Sequence, residues 1–193
     1  GYEESGTTAF IPSQIITNTT NTDQDLVYAI IPIANGCAGS PFEYTLTLKP
    51  IPVIANKEET ICDGETFTIQ PIDNFPTEIV PIGITYSWPA PVSDPTDAVT
   101  GGISASAQSS ISNQLSNTSE YPATLTYSVT PNYNGCDGDD FDIVITVNPT
   151  VSVDAIPDQV LCNGDNTLAV EFNTTIADNT VQDSGEISYT WTN

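Results

Sequence analysis

Ala123-Thr124-Leu125-Thr126-Tyr127-Ser128-Val129, then Asn134-Gly135, then Phe141-Asp142-Ile143-Val144-Ile145-Thr146-Val147 reads as a β-hairpin. Apolar and polar residues alternate through the first run and most of the second. That period of two belongs to strands that bury one face. Asn-Gly between two such runs is a strong hairpin signal, because a tight type I′ turn needs positive φ at both central positions. The same signature stands 99 residues earlier (136 − 37), as Leu26-Val27-Tyr28-Ala29-Ile30-Ile31, Asn35-Gly36-Cys37 and Phe42-Glu43-Tyr44-Thr45-Leu46-Thr47-Leu48.

Two more motifs recur at nearly the same distance. Ile61-Cys62-Asp63-Gly64 returns as Leu161-Cys162-Asn163-Gly164, 100 later (162 − 62), and Tyr86-Ser87-Trp88 returns as Tyr189-Thr190-Trp191, 103 later (191 − 88). Repetition at domain length means one folded unit strung in series. Each hairpin ends in prolines, in Lys49-Pro50-Ile51-Pro52 and Asn148-Pro149-Thr150. Proline cannot continue a ladder and stiffens the chain, so these are joints. Each joint is followed by an extended segment, a Cys-x-Gly turn, a short alternating strand (66–70; 167–172) and the Tyr-x-Trp strand. The expected organisation is the C-terminal half of an Ig-like repeat over 1–49, a complete repeat over 50–149, and the N-terminal half of the next over 150–193. No stretch carries a capped helical period. The fold class is all-β, as tandem Ig-like sandwiches.

Composition limits the partners. Of 193 residues 25 are acidic and two basic, Lys49 and Lys57, giving a net charge of −23 with no His. Phosphate contacts need Lys and Arg, so nucleic acid is excluded, and anionic membrane surfaces are disfavoured. No apolar run approaches the ~18 residues of a membrane span. With no Met, including an initiator, the expectation is an internal window of a longer chain. Recurrent β-branched runs argue against disorder despite the acidity.

The same composition limits the chemistry. Without His there is neither a Cys/His zinc site nor the usual base for a nucleophile. The remaining catalytic option is a pair of carboxylates from Glu58-Glu59, Asp139-Asp140 or Glu78. Among 25 acidic residues such proximity arises by chance, so the expectation is a solvated acidic surface, no catalytic residue and no enzyme. No cofactor is expected. Asp137-Gly138-Asp139-Asp140-Phe141-Asp142 is oxygen-rich enough to suit Ca²⁺, but the matching turn Ala38-Gly39-Ser40-Pro41-Phe42-Glu43 is nearly ligand-free, which favours an ordinary acidic turn. Trp88 and Trp191 recur at one structural position, which favours the sandwich core over an exposed sugar platform. Asn18-Thr19-Thr20, Asn117-Thr118-Ser119 and Asn173-Thr174-Thr175 match the glycosylation sequon and are read as loop or strand residues.

The order of these motifs, from Tyr-x-Trp through Ile16-Thr17-Asn18-Thr19-Thr20, Ile33-Ala34-Asn35-Gly36-Cys37-Ala38-Gly39, Tyr44-Thr45-Leu46-Thr47-Leu48-Lys49-Pro50 and Ile61-Cys62-Asp63-Gly64, resembles the PKD-like repeats of very large Bacteroidota cell-surface proteins, including gliding-motility adhesins resembling SprB. The resemblance covers nearly the whole chain. It implies an Ig-like sandwich in a giant adhesin, exported by the type IX secretion system. The acidity and the insert between Pro71 and Pro81 depart from the pattern. The expected role is an extended extracellular stalk and multivalent adhesive array, in which repetition raises avidity. Its partners would be neighbouring repeats, a surface polysaccharide or another cell-surface protein. The alternatives are a non-catalytic module of a secreted polysaccharide-degrading enzyme and a subunit of a fibre or surface layer.

With no Cys-x-x-Cys pair, the cysteines read as extracytoplasmic disulfides. The preferred pairing is Cys62–Cys136, because both belong to the complete unit. Cys37 and Cys162 would then pair outside the window. The competing set is Cys37–Cys62 with Cys136–Cys162.

Overall fold

The Asn-Gly turns form as their chemistry requires. Asn134 and Gly135 have φ of 49° and 88°, and Asn35 and Gly36 repeat them at 50° and 80°. The computed structural model describes residues 5–174 and 189–192. Around the first turn lie β1 (Gln24–Ile30), β2 (Ile33–Ala34), β3 (Cys37–Ala38) and β4 (Phe42–Leu48). There follow β5 (Lys57–Cys62), β6 (Thr66–Ile69), β7 (Thr85–Trp88), β8 (Val92–Asp94), β9 (Val99–Thr100), β10 (Ala105–Gln108), β11 (Ile111–Gln114) and β12 (Ser116–Asn117). The last three are β13 (Ala123–Tyr133), β14 (Cys136–Asp137) and β15 (Phe141–Asn148).

β13 and β15 pair antiparallel from Ala123 opposite Val147 to Val129 opposite Phe141. They centre a sheet of order β10-β7-β13-β15-β5, with β8 and β14 also bonded to β13. The ladders β6–β11 and β9–β12 form the other layer. The fold is the all-β, Ig-like sandwich that the alternation predicts. One pairing sets the geometry of the ends: β5 runs parallel to β15, from Lys57 opposite Ile143 to Cys62 opposite Asn148. The chain therefore enters the sandwich beside the hairpin tip and leaves at the opposite end.

The core lies between Ile54 and Val147. Leu125, Tyr127, Val129, Phe141, Ile143, Ile145 and Val147 are all buried, as the period of two requires. Phe67 from the second layer meets Tyr127 at 5.3 Å between ring centroids. Trp88 is buried, stands edge-on to Tyr127 at 6.3 Å, and donates its indole N–H to Ile103 O at 2.8 Å.

Tyr86, two residues before Trp88, shares its face and is also buried, against Phe141. Its hydroxyl is buried without a partner. Burial pushes the phenol pKa up to about 12, and the Glu78 carboxylate adds to the shift. An unmade buried hydrogen bond costs about 1–3 kcal/mol, so removing the oxygen should help. Tyr86→Phe is expected to stabilise the sandwich by about 1 kcal/mol, read as a higher urea midpoint at unchanged slope. A lower midpoint would show that the hydroxyl has a partner.

Among the described residues the flanking segments carry the same patterns without a second layer. Phe42 is 62% exposed where Phe141, 99 positions on, is 2% exposed. The strand expected over 167–172 is not formed, and the described part of the C-terminal segment has a single bridge, Val153 opposite Thr174. Trp191, expected in a core, is 77% exposed, a correction with a plain cause: β13- and β15-like strands do not pack against it. Residues 175–188 of that segment lie outside the described residues.

Candidate functional site

Several of the strongest polar contacts lie at the two ends of the sandwich. At the entry end Pro50 and Pro52 are buried. Lys49 Nζ donates to Asn134 O at 2.7 Å, and Asn21 Nδ2 donates to Asp73 Oδ2 at 2.7 Å. Loss of hydration, then the Asp23 carboxylate, raises the pKa of Tyr133, which also hydrogen-bonds Asp23. These contacts tie residues 21–49 directly to the sandwich. Gly138 leaves no room for a Cβ against the Pro52 carbonyl, so the glycine of the acidic turn is there for close backbone approach.

The insert between Pro71 and Pro81 also braces this end. It pairs Ile79 with Val53 and brings Glu78 to Lys57, 2.6 Å from Oε1 to Nζ, and to the Ala55 N–H. The Lys57 hydrogen bond, then the Ala55 N–H, holds the Glu78 carboxyl below its usual range. Of the three carboxylate candidates, Glu78 is thus a structural ion pair.

At the exit end the organiser is Asp63. Its Oδ1 accepts from Ser116 Oγ and Asn117 N, and its Oδ2 from Thr150 Oγ1 at 2.9 Å. Ser116 first, then Asn117 and Thr150, holds its carboxyl below the usual range. Asn117 beside it is buried, and its Nδ2 donates to Tyr121 O and Val147 O, both at 2.7 Å. Its Oδ1 accepts from Ser119 N and Ser119 Oγ. Asn18 makes the same set 99 positions earlier, with Thr22 O, Leu48 O, Thr20 N and Thr20 Oγ1. The sequon-like triplets at 18–20 and 117–119 are therefore side-chain-capped turns whose amide is committed to carbonyls. The sequence reading named neither Asp63 nor Asn117 as organisers. The available signal was Asn-x-Ser/Thr at the repeat offset.

The cysteines sit at these same ends. Cys62 closes β5 opposite Asn148, while Cys136 faces Tyr133 at the hairpin tip. Between them β15 alone spans roughly 23 Å from Phe141 to Asn148, at ~3.3 Å per residue, whereas a disulfide needs Cα atoms about 4.4–6.8 Å apart. The pairing expected inside the unit, Cys62–Cys136, is therefore not made, and all four thiols are free. Cys62 closes β5 and Cys136 opens β14, and parallel pairing of β5 with β15 carries them to opposite poles. Cys37 and Cys162 are exposed.

The acidic turn divides its carboxylates. Asp137 Oδ1 accepts from Asn132 Nδ2 and Asp140 Oδ1 from Thr130 Oγ1. Among the described residues no three carboxylate, thiol or imidazole side chains group around a point that could hold a metal ion.

A two-layer sandwich with a core Trp, entered and left at opposite ends beside proline joints, defines an Ig-like repeat module. The PKD-like domain family matches residues 2–52 and 59–151, and the chain belongs to that family. Such domains are typically extracellular, non-catalytic repeat or binding modules. No curated protein matches the chain. Among the described residues no helix is long and apolar enough to cross a membrane.

Proposed function

We propose that this chain is a repeat segment of a large cell-surface adhesin, in which 50–149 is one complete unit between halves of its neighbours. Its task is to extend a stalk from the cell and multiply weak contacts along it, in surface attachment or gliding motility. The observation that carries this reading is the parallel β5–β15 pair, which sends the chain in at one pole and out at the other. Units so built advance along a line, each by at least the roughly 23 Å that the eight-residue β15 spans. Buried prolines and three polar contacts brace the entry joint. The net charge of −23 sets neighbouring copies against one another.

The resemblance to adhesins of Bacteroidota supports the surface role, export by type IX secretion, and neighbouring repeats, surface polysaccharide or other surface proteins as partners. The sugar-module alternative loses its best platform, because Trp88 is in the core. Small-angle X-ray scattering on chains of increasing repeat number tests the proposal. A cross-section that stays constant while the maximum dimension grows linearly at low salt is expected. A compact profile at low salt would overturn it.

A further inference from the structure

A cleft of ≈ 500 Å³ opens beside the β1–β4 hairpin, lined in part by Ile16, Thr17, Asn18, Leu48, Lys49 and Ile51. Ninety-nine positions on, these are Leu115, Ser116, Asn117, Val147, Asn148 and Thr150. In the sandwich those residues surround one feature, the turn after Cys62. Gly64 N donates to Leu115 O, and Asp63 accepts from Ser116, Asn117 and Thr150. Ile61 and Cys62 lie opposite Val147 and Asn148. Thr17 and the Asn18 N–H stand where Ser116 and the Asn117 N–H hold Asp63, while Ile51 replaces Thr150, so the cleft offers two of the three donors that seat a Cys-x-Gly turn.

A turn seated there places its cysteine opposite Lys49, as Cys62 lies opposite Asn148. Lys49 Nζ itself reaches Asn134 O, two residues from Cys136, and Asp23 of the same hairpin reaches Tyr133, the register partner of Cys136. We infer that the cysteine of each Cys-x-Gly turn forms a disulfide with the hairpin-tip cysteine of the following repeat. Cys136 is bonded backward across the Lys49–Pro52 joint, and Cys62 forward across the Asn148–Thr150 joint. This inference rests on the serial-repeat reading. It accounts for two cysteines per unit that cannot reach each other yet each flank a joint.

The bond forms by exchange with a small-molecule disulfide such as oxidised glutathione. One cysteine thiolate attacks it and releases a thiol; the second thiolate then displaces the other half as a second thiol. Two electrons pass to the oxidant, and the two cysteine protons end on the released thiols. Such a bond converts a hinged joint into one held at two points.

The test fuses a second copy of residues 50–99 ahead of the whole chain, since Gly1 stands at repeat position 100 (1 + 99). The fusion is equilibrated in glutathione buffer and digested without reduction. The expected result is a peptide linking Cys62 of the added copy to Cys136. Alkylation of Cys136 should fall roughly tenfold or more against the unfused chain, with Cys37, the original Cys62 and Cys162 still reactive. Amide exchange over Leu26–Ile30 reports separately whether the added segment is seated. A protected hairpin with Cys136 still alkylated, or linked to any other cysteine, overturns the staple and leaves the serial reading intact. A hairpin that exchanges as in the unfused chain overturns the seat and the serial reading together.

Discussion

Trp88→Ala is expected to cost the central sandwich about 3–5 kcal/mol, the range for removing a large aromatic from a packed core. Three losses combine. The indole packs on the core face of its sheet beside Tyr127 of the neighbouring strand, whose ring it meets edge-on at 6.3 Å with planes 77° apart. Its N–H satisfies Ile103 O, which would be left without that donor. The cavity borders Tyr127 on β13, the strand shared by most of the sheet, so collapse around it is restricted. Urea denaturation followed by far-UV circular dichroism measures the cost. A small domain has roughly 5–15 kcal/mol in all, so the variant should sit near its transition at room temperature. Trp88→Phe, which keeps an apolar ring, should lose much less. A cost below about 1 kcal/mol for the alanine variant would be that of an exposed residue and would return Trp88 to a binding role.

The contrast between Trp88 and Trp191 shows what a sequence of this kind discloses. Alternation, Asn-Gly turns and the Tyr-x-Trp strand are local, so the strands they predict appear at the expected residues in 50–149. The strand 66–70 forms as β6 because β11 lies opposite it, Ile111 against Ile69. The similar stretch 167–172 is not a strand, and Trp191 is exposed, because a pattern specifies a strand only when its partner is present. The cysteine pairing failed for a different reason. Membership of one unit brought Cys62 and Cys136 together, but whether β5 runs with or against β15 is a long-range property that no local period encodes. The joint residues were hidden differently again. Asn117 and Asn18 carried a repeat signal, but their short polar pattern is shared by sequons and turns, and only the carbonyls of Val147 and Leu48 separate the two meanings.

Asn117→Ala is the second large effect expected, about 2–4 kcal/mol, because each buried group it strands costs about 1–3 kcal/mol. The Tyr121 and Val147 carbonyls lose their shared donor, and Ser119 loses the acceptor that closes its turn. The backbone of residue 117 also presents its N–H to Asp63, so a loosened turn weakens the carboxylate that holds Thr150 at the exit joint. Asn18→Ala removes the equivalent bonds from a part-exposed hairpin where water can replace them, and should cost under about 1 kcal/mol. Asn117→Asp separates hydrogen bonding from shape. A carboxylate facing two carbonyl oxygens is repelled unless protonated, which raises its folded-state pKa above the unfolded value of about 3.9. Its cost should therefore be smallest below about pH 4 and grow as pH rises through the folded-state pKa. Urea midpoints for the three variants at acid and neutral pH decide it. Equal costs for Asn117→Ala and Asn18→Ala, or an Asn117→Asp cost independent of pH, would show that the buried amide does not organise the joint.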